Sequence, residues 1–193
     1  MADHVTNLSS SEDLENEIAR LRDQIAVLQS KVQQLDQLAH LDPLIALPNR
    51  RGFMRQLETL ISRVKRYGDD GAMLFVDIDG LKGINDSRGH QAGDEALIRV
   101  SEMLVSGVRA GDCVARLGGD EFGILLEHAD EAIANETAAR LVERIAACDF
   151  SHDGTPLPLS VAIGVGIIAA DDDAEAVMAR ADEAMYLKKP AAA

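Results

Sequence analysis

Two short carboxylate clusters are best placed, by residue type and spacing, to do chemistry. The first, Asp77-Ile78-Asp79, closes an apolar run and is followed by Lys82, Asn85 and Asp86. The second is Gly118-Gly119-Asp120-Glu121. In a strand alternate side chains share a face, so Asp77 and Asp79 would project together and Ile78 away. Carboxylates at a strand end, beside carboxylates in a glycine-opened turn, suit a Mg²⁺ ion. That ion takes one or two carboxylates and fills its other positions with phosphate oxygens and water. Glycine makes room, because a backbone without Cβ lets a phosphate or a base come close. Either cluster alone also fits ordinary surface punctuation. Their conjunction is what favours a metal site.

Other chemistries are excluded by what is missing. No Gly-Lys-Ser/Thr closes a glycine-rich loop, so there is no P-loop. The histidines (His4, His40, His90, His128 and His152) lack zinc spacing, and no Gly-x-Ser-x-Gly elbow occurs. The chain has 19 Lys and Arg against 33 Asp and Glu, a formal charge of −14. A nucleic-acid-binding module needs a basic footprint, so none is expected. A small phosphorylated ligand held by a few local cations remains compatible. Aromatic residues make up 3%, with no Trp, which disfavours base-stacking platforms.

Cys113 and Cys148 carry no metal or redox spacing and read as small apolar residues in a reducing compartment. Met1-Ala2-Asp3-His4 opens no signal peptide, and the longest apolar run, 159–170, contains two glycines and reads as a strand. The expectation is a cytoplasmic protein without membrane contact.

Positioning these clusters takes a mixed scaffold. With 193 residues and 47% apolar content, the chain can form one ordinary domain plus an appendage. Asn49 caps an expected helix to about Arg66, with Phe53, Leu57, Leu60, Ile61 and Val64 on one side. Residues 72–78 read as a buried strand, residues 80–92 as a polar, glycine-bearing connection, and Asp94 to about Val108 as a helix. Strands at 113–117 and 121–126 flank the Gly-Gly turn. A helix over 130–147 capped by Asp130 follows. A strand over 157–168 is expected to pair with the segment before Gly154, and a helix covers 173–188. Mixed order with a central hairpin predicts an α+β fold with a largely antiparallel sheet.

Ahead of this lies a heptad. Leu14, Leu21, Leu28 and Leu35 take position d, with Ile18, Ile25 and Val32 at a and Ala39 closing the series. β-Branched a residues with Leu at d favour a parallel two-stranded coiled coil. Glu17 would face Arg22 across the dimer, Lys31 would face Asp36, and Gln24 would face Gln29. A single amphipathic helix packed on the following domain is the alternative, but it would show a broader apolar face. Asp42-Pro43 ends the zipper. The expected division is a disordered or frayed stretch over 1–13, a dimerising coil over 14–41 and a globular domain over 42–190.

At Arg116-Leu117-Gly118-Gly119-Asp120-Glu121-Phe122 the chain resembles the GGDEF family of diguanylate cyclases. The resemblance extends over about residues 41 to 189. It includes Leu47-Pro-Asn49-Arg-Arg, Asp77-Ile-Asp-Gly-Leu-Lys82-Gly-Ile-Asn85-Asp, Gly89-His90-Gln-Ala-Gly93-Asp94, Val161-Ala-Ile-Gly164-Val and Ala181-Asp-Glu-Ala-Met-Tyr186. It implies a palm-like nucleotidyl-cyclase fold and condensation of two GTP into cyclic di-GMP with release of pyrophosphate.

By this resemblance Asp77, the Ile78 carbonyl and Asp120 hold Mg²⁺, with Mn²⁺ as an alternative. Asp120 activates the 3′-hydroxyl and Glu121 assists. Asn85 and Asp94 read guanine, since a carboxylate can accept from both its N1–H and its exocyclic amine. Lys82 and Lys189 meet the triphosphate, and His90 lies in the substrate-binding segment. Each site takes one GTP, so two domains must meet, and the zipper supplies them at roughly millimolar effective concentration.

Arg109 and Asp112, at the family's offset from Gly118, imply an inhibitory product site, with Arg140 a contact from a neighbouring domain. Composition alone would read Arg109 as a helix-end cation before a turn.

The chain also departs from the family. Ile45-Ala46 stands where Thr-Gly is usual, Leu81 replaces Phe, and residues 188–193 lack the usual Gly-Arg/Lys-Asn. The last departure removes one expected phosphate contact. A non-catalytic GGDEF domain acting as a cyclic di-GMP or GTP receptor is the rival reading. Retention of Asp77, Asp120 and Glu121 favours turnover. A regulatory protein docking on the coil is compatible with this organisation.

Overall fold

The computed structural model describes residues 15–29, 31 and 40–189 and divides the chain into two units between residues 39 and 40. In the first unit, residues 15–29 form helix α1. Its Ile18, Leu21, Ile25 and Leu28 are 44–60% exposed, so the expected seam is uncovered within a single protomer. Glu17 is engaged by Arg20 of the same helix at 2.8 Å. Leu14, Val32, Leu35, Asp36 and Ala39 of the heptad lie outside the described residues, as does the stretch over 1–13. Among the described residues no helix is long and apolar enough to cross a membrane.

In the second unit a four-stranded antiparallel sheet has the order β2-β3-β1-β6, from β1 (Gly71–Ile78), β2 (Cys113–Gly118), β3 (Glu121–Glu127) and β6 (Val161–Ile167). Helices are α2 (Arg50–Tyr67), α3 (Leu81–Arg88), α4 (His90–Ser106), α5 (Glu131–Ala146) and α6 (Ala174–Tyr186). The central strand β1 is buried throughout, and its alternation divides the core in two. Ala72, Leu74, Val76 and Ile78 pack with α4 and α5 residues such as Val100, Leu104 and Leu141. Met73 and Phe75 pack on the other face with Phe53, Leu57, Val177 and Met185 of α2 and α6. Asp77 has the parity of the second set.

The capped elements form where the sequence signals them. The Asn49 carboxamide oxygen accepts from the N–H groups of Arg51 and Gly52, and Asp130 accepts from Ile133. Cys113 in β2 is a free thiol, which burial pushes up to about 11.

Two expectations are corrected. Residues 80–92 are not a plain connection, because α3 occupies Leu81–Arg88 and α4 begins at His90 rather than at Asp94. Both helices start at a glycine, Gly80 with φ 69 and Gly89 with φ 87, without a side-chain cap, and α3 buries only Leu81. Neither a cap nor an apolar period announces them. The strand over 157–168 is also shorter and differently paired. Pro158 interrupts it, β6 starts at Val161 and pairs with β1, and the segment before Gly154 pairs with 155–156 as β4 (Ser151–His152) and β5 (Thr155–Pro156).

Candidate functional site

The two carboxylate clusters meet at one end of the sheet. Asp77 lies directly opposite Glu121 in the β1–β3 register, and the Ile78 N–H donates to the Asp120 carbonyl at 3.1 Å. The turn between β2 and β3 is therefore tied by its own backbone to the end of β1. Gly119 adopts φ 40, which the left-handed region allows glycine without a Cβ penalty, and a bulge lies between Arg116 and Gly118.

A second tie comes from Arg116, whose guanidinium donates to the Gly119 carbonyl at 2.7 and 3.1 Å and pairs with Asp42 at 3.3 Å. Asp42 in turn accepts from Leu44 N–H and Ile45 N–H. The hairpin tip is thus anchored to the turn that precedes α2. Sequence reasoning missed both Arg116 and Asp42 as positioning residues; they lie 74 positions apart, and no local pattern joins them.

The electrostatics are those of a crowded carboxylate cluster. Burial pushes the Asp77 carboxyl up, opposed by the hydrogen bond from Lys189, with the Asp120 charge adding to the upward push. Glu121 is raised by burial first, then by Asp120, Asp77 and Asp182, against Arg50. Lys189 Nζ sits 2.9 Å from Asp77 Oδ2, and this bond raises its own pKa. The Lys189 ammonium therefore lies on a carboxylate rather than standing free for a triphosphate.

Among the described residues no three His, Cys, Asp or Glu side chains form a metal cluster. Asp77 and Asp120 supply a carboxylate pair, and mutual repulsion in a buried setting favours an added cation. The donor set fits an oxygen-loving ion that completes its shell with phosphate and water. Asp79 is held by Ser160, its carboxylate accepting from Ser160 Oγ at 2.8 Å and its N–H donating to the Ser160 carbonyl, while its charge still acts on Asp77 and Lys189.

Lys82 and Asn85 stand on α3, His90 opens α4, and Asp94 follows one turn later. A Cβ added at Gly93 would fall 2.0 Å from Asn85 Oδ1, so the missing side chain is what lets the Asn85 amide lie on the α4 backbone beside Asp94. Lys82, His90 and Asp94 are exposed, and Asn85 is half-buried.

At the far end of the hairpin, Arg109, Asp112 and Arg140 line one cavity of about 370 Å³ together with Ser106, Glu127 and Glu136. Arg140 thus lines the same cavity as Arg109 within one protomer. Asp112 accepts from the N–H groups of Arg109 at 2.8 Å and Glu127 at 3.2 Å.

Comparison with known proteins agrees with this architecture. The sequence matches the family described as "Diguanylate cyclase, GGDEF domain" over residues 39–193. It is 38% identical over 162 residues to diguanylate cyclase DgcP of Pseudomonas aeruginosa, covering 84% of this chain and 24% of that protein. The chain thus spans about a quarter of that relative's length. The coiled coil and GGDEF domain of DgcB from Caulobacter crescentus, solved in complex with c-di-GMP, shares the fold with a TM-score of 0.80 at 24% identity, covering 90% of this chain and 92% of that one. Diguanylate cyclase SiaD from Pseudomonas aeruginosa, solved with its activator SiaC, is similar with a TM-score of 0.75 and 27% identity, covering 95% of this chain and 73% of that one.

Proposed function

The chain belongs to the GGDEF family, and on that footing we propose that it is a Mg²⁺-dependent diguanylate cyclase working as a homodimer. The observation that carries this reading is the meeting of Asp77 with Asp120-Glu121 at one sheet end. Asn85 and Asp94 lie together on the adjoining helices.

Each protomer binds one GTP, with Asp94 and Asn85 on the guanine edge. The 3′-oxygen of one GTP attacks the α-phosphorus of the other. A new P–O bond forms, the bond from the α-phosphorus to the α–β bridging oxygen breaks, and pyrophosphate leaves; the reciprocal attack by the second GTP's 3′-oxygen closes the ring and releases a second pyrophosphate. Asp120 takes the hydroxyl proton, with Glu121 beside it. Lys82 and Lys189 neutralise charge on the departing pyrophosphate, Lys189 moving over from its place beside Asp77. Mg²⁺ held by Asp77, Asp120 and the Ile78 carbonyl would supply Lewis-acid polarisation of the α-phosphate and acidify the attacking hydroxyl.

Dimerisation falls to the exposed seam of α1, whose register pairs a with a and d with d. The cavity at Arg109, Asp112 and Arg140 is assigned to cyclic di-GMP as a feedback inhibitor, because arginine grips phosphate or guanine bidentately. A protein regulator, as SiaC is for SiaD, would act through α1.

The test is incubation with GTP and Mg²⁺ and separation of the nucleotides by ion-pair chromatography. Cyclic di-GMP should appear with pyrophosphate and reach a plateau before GTP is consumed. Unchanged GTP, after any co-purified product is stripped, would refute turnover and leave a receptor.

A further inference from the structure

Beside the guanine-reading segment lies a contact that the proposed chemistry does not use. β4 and β5 form a tight hairpin around Asp153 and Gly154, with φ 49 and 72, as in a two-residue type I′ turn. From this hairpin His152 reaches α4: its Nδ1 lies 2.7 Å from Glu95 Oε2, and only 11% of the imidazole is exposed. Glu95 is the residue after Asp94. Its other neighbour is Gln91, one turn earlier, at 3.4 Å. The chain leading into the hairpin is also held on α4, where Arg99 Nε donates to Cys148 Sγ at 3.3 Å.

The first turn of α4 needs such support. Its N-terminal N–H groups have no side-chain cap, since Gly89 precedes it in an extended, positive-φ conformation. An uncapped helix end frays. Here that end carries His90 and Asp94, and Asn85 rests on Gly93 within it.

We propose, building on the cyclase reading, that His152 is a proton-dependent positioning residue. Its imidazolium clamps Glu95 and thereby fixes Asp94 for guanine. The charged and titratable groups facing His152 are Glu95 on α4, Asp153 in its own turn and Arg88 at the end of α3. The hydrogen bond to Glu95 raises the imidazole pKa, burial opposes this, the Glu95 and Asp153 charges add to the rise, and Arg88 works against it. Glu95 is correspondingly lowered, chiefly by His152.

The sign follows from these directions. The clamp is complete above the depressed Glu95 value and below the ordinary imidazole value of about 6.5. It is lost as pH rises through the raised His152 value. A neutral imidazole still donates to the Glu95 carboxylate but no longer forms an ion pair with it, which weakens the clamp. Guanine affinity therefore falls with rising pH, while the reacting atoms are untouched.

The experiment is KM and kcat for GTP from pH 5.5 to 9 in the full chain, for wild type, His152→Gln and Glu95→Gln. GTP titrates identically in all of them, so the ratio to wild type isolates the clamp. At low pH both variants should show KM raised about threefold, converging on wild type at high pH, with kcat unchanged throughout. Parallel KM curves, or an effect in kcat alone, would overturn the proposal.

Equilibrium binding of a fluorescent GTP analogue on the same samples separates the two readings. Binding without turnover refutes the cyclase and leaves the clamp to be judged by the same pH ratio. Absence of binding at every pH refutes both. Melting curves identify a variant that fails to fold, and in that case the imidazole titration of wild-type His152 by NMR decides: a midpoint at or below 6.5 contradicts the clamp.

Discussion

The two ends of the β2–β3 hairpin use the same residue type for opposite purposes. At the turn, Asp120 and Glu121 face the buried Asp77, and the local field is one of crowded negative charge. At the open end, Asp112 also serves the architecture, each oxygen accepting one backbone N–H that holds the α4–β2 loop against β3. Where the backbone satisfies a carboxylate, the residue stabilises a loop. Where it does not, the residue is left to bind a cation or take a proton. The hairpin thus separates a tip of crowded carboxylates, where the proposed chemistry is placed, from a base held by backbone bonds, and Arg116 keeps the tip in place.

Among substitutions that leave the carboxylates in place, loosening the tip should have the largest effect. Arg116→Ala removes the bonds to the Gly119 carbonyl and the Asp42 pair. Turnover should fall about tenfold, because misplaced catalytic groups lose much of their effect, while GTP affinity changes little. Steady-state kinetics checks this, and a change confined to KM would sink the positioning role.

The base offers the converse test. Asp112→Ala strands two backbone donors and should cost about 2 kcal/mol, lowering Tm by about 4–8 °C. Arg109→Ala should abolish the early plateau in product formation with Tm within about 1 °C of wild type. Equal Tm losses in the two variants would erase the distinction between loop-holder and ligand contact. The smallest effect is expected at Ala46, a non-glycine residue at φ 51 in the turn that Asp42 organises. Ala46→Gly should relieve backbone strain and raise stability by about 1 kcal/mol in thermal denaturation, with turnover unchanged. A fall in stability would show that this turn carries no strain.

Local features of the sequence disclosed much of this arrangement. The Asn49 and Asp130 caps, the apolar face of α2 and the Gly-Gly turn are written within a few residues of where they act. Asp77 and Glu121 could be placed together because a strand end and a hairpin turn are each recognisable. The connections across the fold left no such trace. Arg116–Asp42 and His152–Glu95 span 74 and 57 residues, and neither partner's neighbourhood specifies the other. Helix α3 was invisible for a different reason, since it starts from a left-handed glycine and buries one residue. The consequence of the Ile45-Ala46 departure lies in backbone conformation, with Ala46 at φ 51, which residue identity alone does not reveal.

The most direct test of the contrast is Asp120→Asn, with cyclic di-GMP formation and Tm measured on the same preparation. Turnover should fall by about 10³-fold. The Tm should not fall, because the substitution removes one charge from a cluster of carboxylates that repel each other. Retained turnover would contradict the assignment of Asp120 to chemistry. A stability loss as large as that of Asp112→Ala would show that both ends of the hairpin are architecture.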